Sequence, residues 1–395
     1  MDAEVLPTVE DLLTQVEALE PLILEEKDEA ERIGRMSDKL ADKLRENAFF
    51  RMFRPQSRNG LGFDPVSGFR VVEALTKIDS SVGWNVAISN ATETFAPWFS
   101  DEATEEIFGS PNTVCAGGVF PPRAAIPVEG GYRVSGKSLF NSNCHAANWI
   151  LVEALIYDGD ELRLDAEANP QGLFMYVPAN EATIVENWDT MGMRGTGSHD
   201  VLLDDVFVPE HRAAPLDPIE TFKPAYDNAM SRLAIWPAVC INGLPALGIA
   251  QSAIDDFVDM AANKIPAFTE TSLRDRPLIQ LRLAQAEGKV KAARSLIYNT
   301  FDQLYERTSE GHVLTIEERA DCQQAASHAT MASAEAVELI HSLVGSAGLR
   351  KDQPFERHLR DINVITQHAF VCESRLQTVG EVRLGLDPSW PFMWL

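Results

Sequence analysis

The stretch Asn187 to Pro209, NWDTMGMRGTGSHDVLLDDVFVP, places Gly192, Gly195 and Gly197 ahead of Ser198 and His199, then alternates apolar and polar residues. A phosphate cradle of the usual kind opens a helix behind its glycines, so that backbone N–H groups face the anion. Here the glycines open a strand. Two other places gather groups that can orient a ligand or carry a proton: FNSNCHAAN, with Ser142 and His145, and RDINVITQH, ending at His368. Hydroxyls donate and accept hydrogen bonds, and imidazole changes charge near neutral pH. Each residue also has a plainer reading. Trp188 beside a turn packs in a core, Ser142 forms a turn, His368 satisfies a helix contact, and His145 and His199 sit at the surface or behind a pocket wall.

Absences prune the chemistry. There is no GxGxxG after a strand, no GxxxxGK[ST], no HExxH and no GxSxG, which removes the main support for common nucleotide, zinc and serine-hydrolase sites. The cysteines at 115, 144, 240, 322 and 372 form no CxxC pair, so neither a disulfide framework nor a thiolate metal site is expected. A formal charge of −25, from 59 acids against 34 Lys plus Arg, repels nucleic acid and anionic lipid, so neither is an expected partner. The acids in MDAEVLPTVEDLL do not suit a signal peptide, and no stretch reaches the roughly 18 uninterrupted apolar residues of a membrane span. A reducing, cytoplasmic location is expected.

The elements that must position these groups follow from periodicity. Apolar residues three and four apart predict two helices between Thr8 and Phe50, a third over Val66 to Ile78, and a buried segment from Val82 to Phe99. From about Thr113 short strands take over (YRVSGKSLF, NWILVEALIY, GLFMYVP, ATIVENW, DVLLDDVFVP), predicting a compact antiparallel sandwich or barrel. Beyond Pro218 helices return. One stripe runs Leu278, Leu281, Val290, Ala293, Ile297, Phe301, Leu304; a second runs Ala325, Ala329, Ala332, Ala336, Ile340, Leu343; a third spans Leu359 to Val379. The class is α+β and mainly helical: a helical domain over 1–112, a central antiparallel β domain over 113–217 and a helical bundle over 218–395. The apolar tail PSWPFMWL is expected to dock on the bundle or on a second subunit.

This order, with GMRGTGSHDVLLDDVFVP closing the β part, resembles the acyl-CoA dehydrogenase fold over essentially the whole chain. The resemblance implies that the turn before the DxVFVP strand lines a flavin ring. It also implies that GSAGLRKDQPFERHLRDI, with Gly345, Arg357 and Arg360, lies near a flavin phosphate or between subunits, the two arginines being structural or phosphate-facing; Arg360 and Asp361 can equally serve only to anchor the last helix. A dehydrogenase needs a carboxylate base to take a proton α to a thioester. Where the family's YEGT element carries that acid this chain has Gln367 and His368, and the alternative position reads Met230-Ser231-Arg232. The TEPxxGSD and ITNG elements are likewise replaced, by AGGVFPPRAAIPVEGGYRVSG and FNSN.

These replacements resemble the family's other branch, the oxygenase components of two-component flavin-dependent monooxygenases. The resemblance implies reduced flavin, FADH2 or FMNH2, delivered by diffusion from a separate NAD(P)H-dependent flavin reductase. It implies reaction with O2 through a C4a-hydroperoxide and hydroxylation of a small aromatic or heteroaromatic substrate. His368 then takes the proton-handling role, Ser142 lies at the N5/C4a edge, Trp188 flanks the ring, and Ser198 meets the flavin tail or the pocket wall. Phe95, Trp98 and Trp236 are candidate substrate contacts on aromatic content. Arg123 stands where this branch more often has glycine, which would reshape a flavin or substrate entrance. A homodimer or homotetramer is expected. Two rivals remain open: an acyl-CoA dehydrogenase with a relocated base, and a flavin-fold scaffold without turnover.

Overall fold

The computed structural model describes residues 6–395 except 216 and 220. The acids of the first five residues, read above for targeting, lie outside the described residues. Five helices come first: α1 (Val9–Ile33), α2 (Asp38–Glu46), α3 (Pro65–Ile78), α4 (Ser80–Glu93) and α5 (Asp101–Phe108). Local chemistry sets their limits. Thr8 and Asp11 form a capping box at the start of α1, and Gly34, at φ 73°, takes the left-handed turn that ends it. Asp79 closes α3 and caps α4, its carboxylate accepting from Ser81 N and Val82 N.

Eight strands follow: β1 (Cys115–Val128), β2 (Gly131–Asn141), β3 (Trp149–Asp158), β4 (Glu161–Leu162), β5 (Gly172–Pro178), β6 (Thr183–Val185), β7 (His199–Pro209) and β8 (Ala213–Pro215). They form one sheet in the order β6–β7–β2–β1–β3–β5–β8, with β4 paired to β3. The helix–sheet–helix order is as expected, but the sheet is mixed rather than antiparallel. β1 runs parallel to β3, Cys115 opposite Trp149, and their register shifts between Gly118 and Arg123. The glycine-rich run leads into the last long strand, with the three-residue β8 beyond it. Inward residues such as Val134, Val152, Met175, Val177 and Val201 form a core of the sheet's own. Leu151, Phe174 and Tyr176, on the opposite face, join the helical core.

Arg123 faces inward. It is 2% exposed and donates to Ser138 Oγ (2.6 Å) and to the carbonyls of Gly118 and Val201 (3.2 Å each), bracing the register shift. Burial lowers its pKa to about 10. It therefore ties β1 to β2 and β7 inside the sheet, and the expected effect on an entrance is not what its geometry provides.

The remaining helices are α6 (Ala229–Arg232), α7 (Trp236–Ile241), α8 (Leu244–Asn263), α9 (Pro277–Ser309), α10 (Ile316–Val344), α11 (Phe355–Ile365) and α12 (Arg375–Arg383). The stretch Trp236–Asn263 is long and apolar enough by composition to cross a membrane, although no run of about 18 uninterrupted apolar residues occurs in it, and 89% of its most apolar window is buried inside the protein. The buried stripe of α9 is Val290, Ala293, Ile297, Phe301 and Leu304, whereas Leu278 and Leu281 at its start are exposed. The third stripe is two helices, α11 and α12, separated by residues 366–374, so His368 lies in a turn and not on a helix. The C-terminal tail docks on its own bundle: Trp390, Met393 and Leu395 are buried, and Arg319 Nη1 donates to Met393 O at 3.0 Å.

Candidate active site

Helix α4 carries Trp84 under the sheet, where its indole N–H donates to Ser142 Oγ at 3.0 Å. Ser142 Oγ lies 2.7 Å from Ser198 Oγ, and Ser198 Oγ lies 2.6 Å from Thr196 Oγ1. Thr196 Oγ1 donates to Met193 O at 2.8 Å. Each hydroxyl has one proton, so that last bond sets all the others. Thr196 must accept from Ser198, Ser198 from Ser142, and Ser142 from Trp84. Two motifs that are distant in the chain, FNSN and TGSHD, thus meet in one directed series of buried hydroxyls. Ser142 keeps one lone pair uncommitted.

The ring of His368 stands edge-on to Trp84, with centroids 5.0 Å apart, and 5.7 Å from Phe370. Phe370 packs against Trp390 (5.5 Å) and Phe392 (5.3 Å), and Trp390 reaches Trp236 at 6.5 Å. Part of the His368 residue surface is open, but Nδ1 is enclosed and has no hydrogen-bond partner. Desolvation of the ring lowers the pKa to about 4. The imidazole is therefore neutral at physiological pH, rather than poised near it as the sequence reading assumed. The buried Trp236 Nε1 also lacks a partner.

The glycine-rich turn is held from three sides. Trp188 Nε1 donates to Met193 O (3.0 Å), and Trp188 N and Asn187 N both donate to His199 Nδ1 (3.0 and 2.9 Å). Asp361, on α11, accepts from Met193 N at 2.6 Å and from Ser80 Oγ. A cleft beside the turn is lined by Arg35, Asn85, Asn143, His145, Thr196 and Gly197, among others. Asn85 Oδ1 is buried at this cleft without a partner.

A family model described as acyl-CoA dehydrogenase, C-terminal domain, matches residues 240–373. Indole-3-acetate monooxygenase of Pseudomonas putida is 30% identical over 362 residues, 91% of this chain and 90% of the relative. The chain belongs to the flavin-dependent monooxygenases of the acyl-CoA dehydrogenase fold. The oxygenase component of an FADH(2)-dependent resorcinol hydroxylase from a Rhizobium species is 26% identical over 361 residues, 87% of each chain. Among solved structures, XiaF from Streptomyces sp., in complex with FADH2 and glycerol, superposes with a TM-score of 0.89 at 25% identity, covering 97% of both chains.

In this monooxygenase Ser142 and His368 meet at Trp84, Ser198 joins them through Ser142, and Trp188 joins through the Met193 carbonyl it shares with Thr196; the sequence reading missed Trp84, because a tryptophan in a uniformly buried helix gives no signal of its own. The roles of Phe370, Trp390 and Thr196 were missed as well, whereas Asp361, read with Arg360 as an anchor of the last helix, also holds the glycine-rich turn through Met193 N. Trp236 joins the aromatic chain leading to His368. Phe95 and Trp98 do not. Phe95 packs on Phe174 (4.6 Å), and Trp98 Nε1 donates to Asp217 O (2.7 Å). Both lie beyond the C-terminal end of α4, itself on the order of 13 Å along the helix from Trp84 at 1.5 Å per residue. Arg357 is ringed by Asp79, Asp28, Glu31 and Asp361, and Arg360 by Glu356, Glu31 and Met191 O. Their donors are turned to carboxylates of the chain itself, the geometry of anchors. Gly345, at φ 62°, ends α10 with open space around it.

A second cleft, at the far end of α4, is lined by Glu93, Arg54, Tyr226, Met230 and Ser231, among others. Glu93 there forms a buried ion pair with Arg54, which also donates to Thr113 O at 2.9 Å.

Proposed function

We propose that this monooxygenase hydroxylates a small aromatic or heteroaromatic compound, indole- or phenol-like, using reduced flavin that diffuses from a separate NAD(P)H-dependent reductase. The observation that carries the reading is a neutral, enclosed imidazole walled by aromatic rings and joined through Trp84 to the Ser142 hydroxyl series. The residues suit reduced flavin. The open lone pair of Ser142 would accept an N–H of the reduced ring, the unpartnered Asn85 Oδ1 would offer a second acceptor, and Trp188 would supply an apolar flank. When bound, the cofactor provides the two electrons by which O2 yields one oxygen atom to the substrate and one to water.

The chain's own groups do the rest. Trp84, Phe370, Trp390 and Trp236 exclude water and present ring faces and edges to an aromatic guest. His368 Nδ1 has no competing partner, so it accepts a hydrogen bond from a substrate O–H or N–H, or holds that proton as the ring is hydroxylated. A dehydrogenase would need a free carboxylate in this place. The rings meeting His368 are aromatic, and the acid in the Met230–Ser231 cleft is committed to Arg54. The exposed Leu278, Leu281, Ile265 and Phe268 support a homodimer or homotetramer.

The test pairs the protein with a generic NADH:flavin reductase under 18O2 and supplies indole-3-acetate, resorcinol and related phenols. One 18O atom is expected in a hydroxylated product. Flavin bleaching by an acyl-CoA, with no labelled product from any aromatic, would reverse the assignment.

A further inference from the structure

His145, Glu186 and His199 meet beside the glycine-rich turn, with ligand atoms all within 4.8 Å of one another. Two imidazoles and a carboxylate are the makings of a divalent-cation site, but the proton positions argue against one. His199 Nδ1 accepts the backbone N–H groups of Asn187 and Trp188. A neutral imidazole has a single N–H, so the proton must sit on Nε2. Nε2 lies 3.0 Å from Glu186 Oε2, off the line of a directed hydrogen bond. It has no lone pair for a metal. A metal-ligating histidine shows the reverse arrangement, its second nitrogen donating outward.

We infer that His199 is a positioning residue: its buried Nδ1 fixes the Asn187–Trp188 backbone and thereby sets the Trp188 indole at the flavin edge. The inference rests on the function proposed above. The bracket is reciprocal, because Asp200 N donates back to Asn187 Oδ1 at 3.0 Å. It is closed on the indole side by Met193 O. Burial lowers the His199 pKa against the opposing pull of Glu186, with His145, Asp200 and Arg35 as the other charged neighbours. The neutral form is also the only one whose Nδ1 can accept. His145 Nε2, 2.7 Å from Glu186 Oε1, holds that carboxylate beside the ring.

Two substitutions separate the two faces of the imidazole. In His199→Asn, Oδ1 takes the place of Nδ1 and keeps the backbone acceptor while losing the side toward Glu186. His199→Gln reaches Glu186 and loses the backbone acceptor. Anaerobic binding of FADH2 and FMNH2, the peroxide share of O2 consumed, and hydrogen exchange at the Trp188 amide are measured for both and for His199→Ala. Asn is expected to stay near wild type. Gln and Ala are expected to bind reduced flavin about tenfold more weakly, the scale of one lost hydrogen bond, to release more peroxide and to expose the Trp188 amide. A Gln variant equal to wild type, or an Asn variant as impaired as Ala, would overturn the inference. So would tight Zn2+ binding that needs His199. If the wild type bound no reduced flavin, the proposed function would fall, while the order of amide exchange among the variants would still decide this point.

Discussion

At the scale of single residues, the hydroxyls of Ser142, Ser198 and Thr196 have one permitted donor order, because Thr196 spends its proton on Met193 O. Ser142→Ala should leave the Trp84 N–H buried without an acceptor, costing roughly 1–3 kcal/mol in chemical denaturation and weakening reduced-flavin binding. His368→Asn should lower product formed per O2 by on the order of a hundredfold, the usual scale for a lost acid–base group, with little change in melting at pH 7. The same substitution tests the enclosed imidazole. In the unfolded chain His368 takes up a proton near its ordinary pKa of 6.5, but in the folded protein only near 4. Its contribution therefore destabilises the fold progressively as pH falls from about 6.5 to 4, by at most about 3 kcal/mol. The variant's stability curve should be flatter in that window.

At the scale of elements, α11 acts as a clamp: Asp361 joins Met193 N and Ser80 to the Arg357 cluster. Burial raises the Asp361 pKa, opposed by Arg357. Asp361→Ala should cost roughly 2–3 kcal/mol in urea unfolding, since it strands a buried backbone donor, and should loosen the turn that carries Trp188. This clamp shows what the sequence could and could not disclose. Helical periodicity located α1, α3, α9 and α10, because burial on one face repeats every three to four residues. It could not show that α11 stops at Ile365, leaving His368 in a turn, nor that Asp79 and Glu31 meet Arg357 from far along the chain. Strand alternation gave the sheet's two faces, but not the parallel pairing of β1 with β3, which depends on a nonlocal partner. The motifs around Ser142 and Ser198 were legible, whereas Trp84, which joins them to His368, was not.

At the scale of the molecule, a strong negative charge coexists with exposed Ile265, Phe268, Leu278 and Leu281 around the start of α9. Sedimentation should show an oligomer, and Leu278→Lys with Leu281→Lys should shift it toward smaller species without unfolding it. The His368 ring is flanked by Trp84 of α4 and by Phe370, which the tail residue Trp390 backs. Trp390→Ala should admit water there and raise the peroxide share of O2 consumed more than it lowers the rate of flavin reoxidation. The most direct measurement of the central claim is stopped-flow mixing of the anaerobic protein and reduced flavin with O2. Reoxidation far slower than that of free flavin, with hydroxylated product once an aromatic substrate is present, is the expected result. Reoxidation at the free-solution rate, with no hydroxylated product, would contradict it.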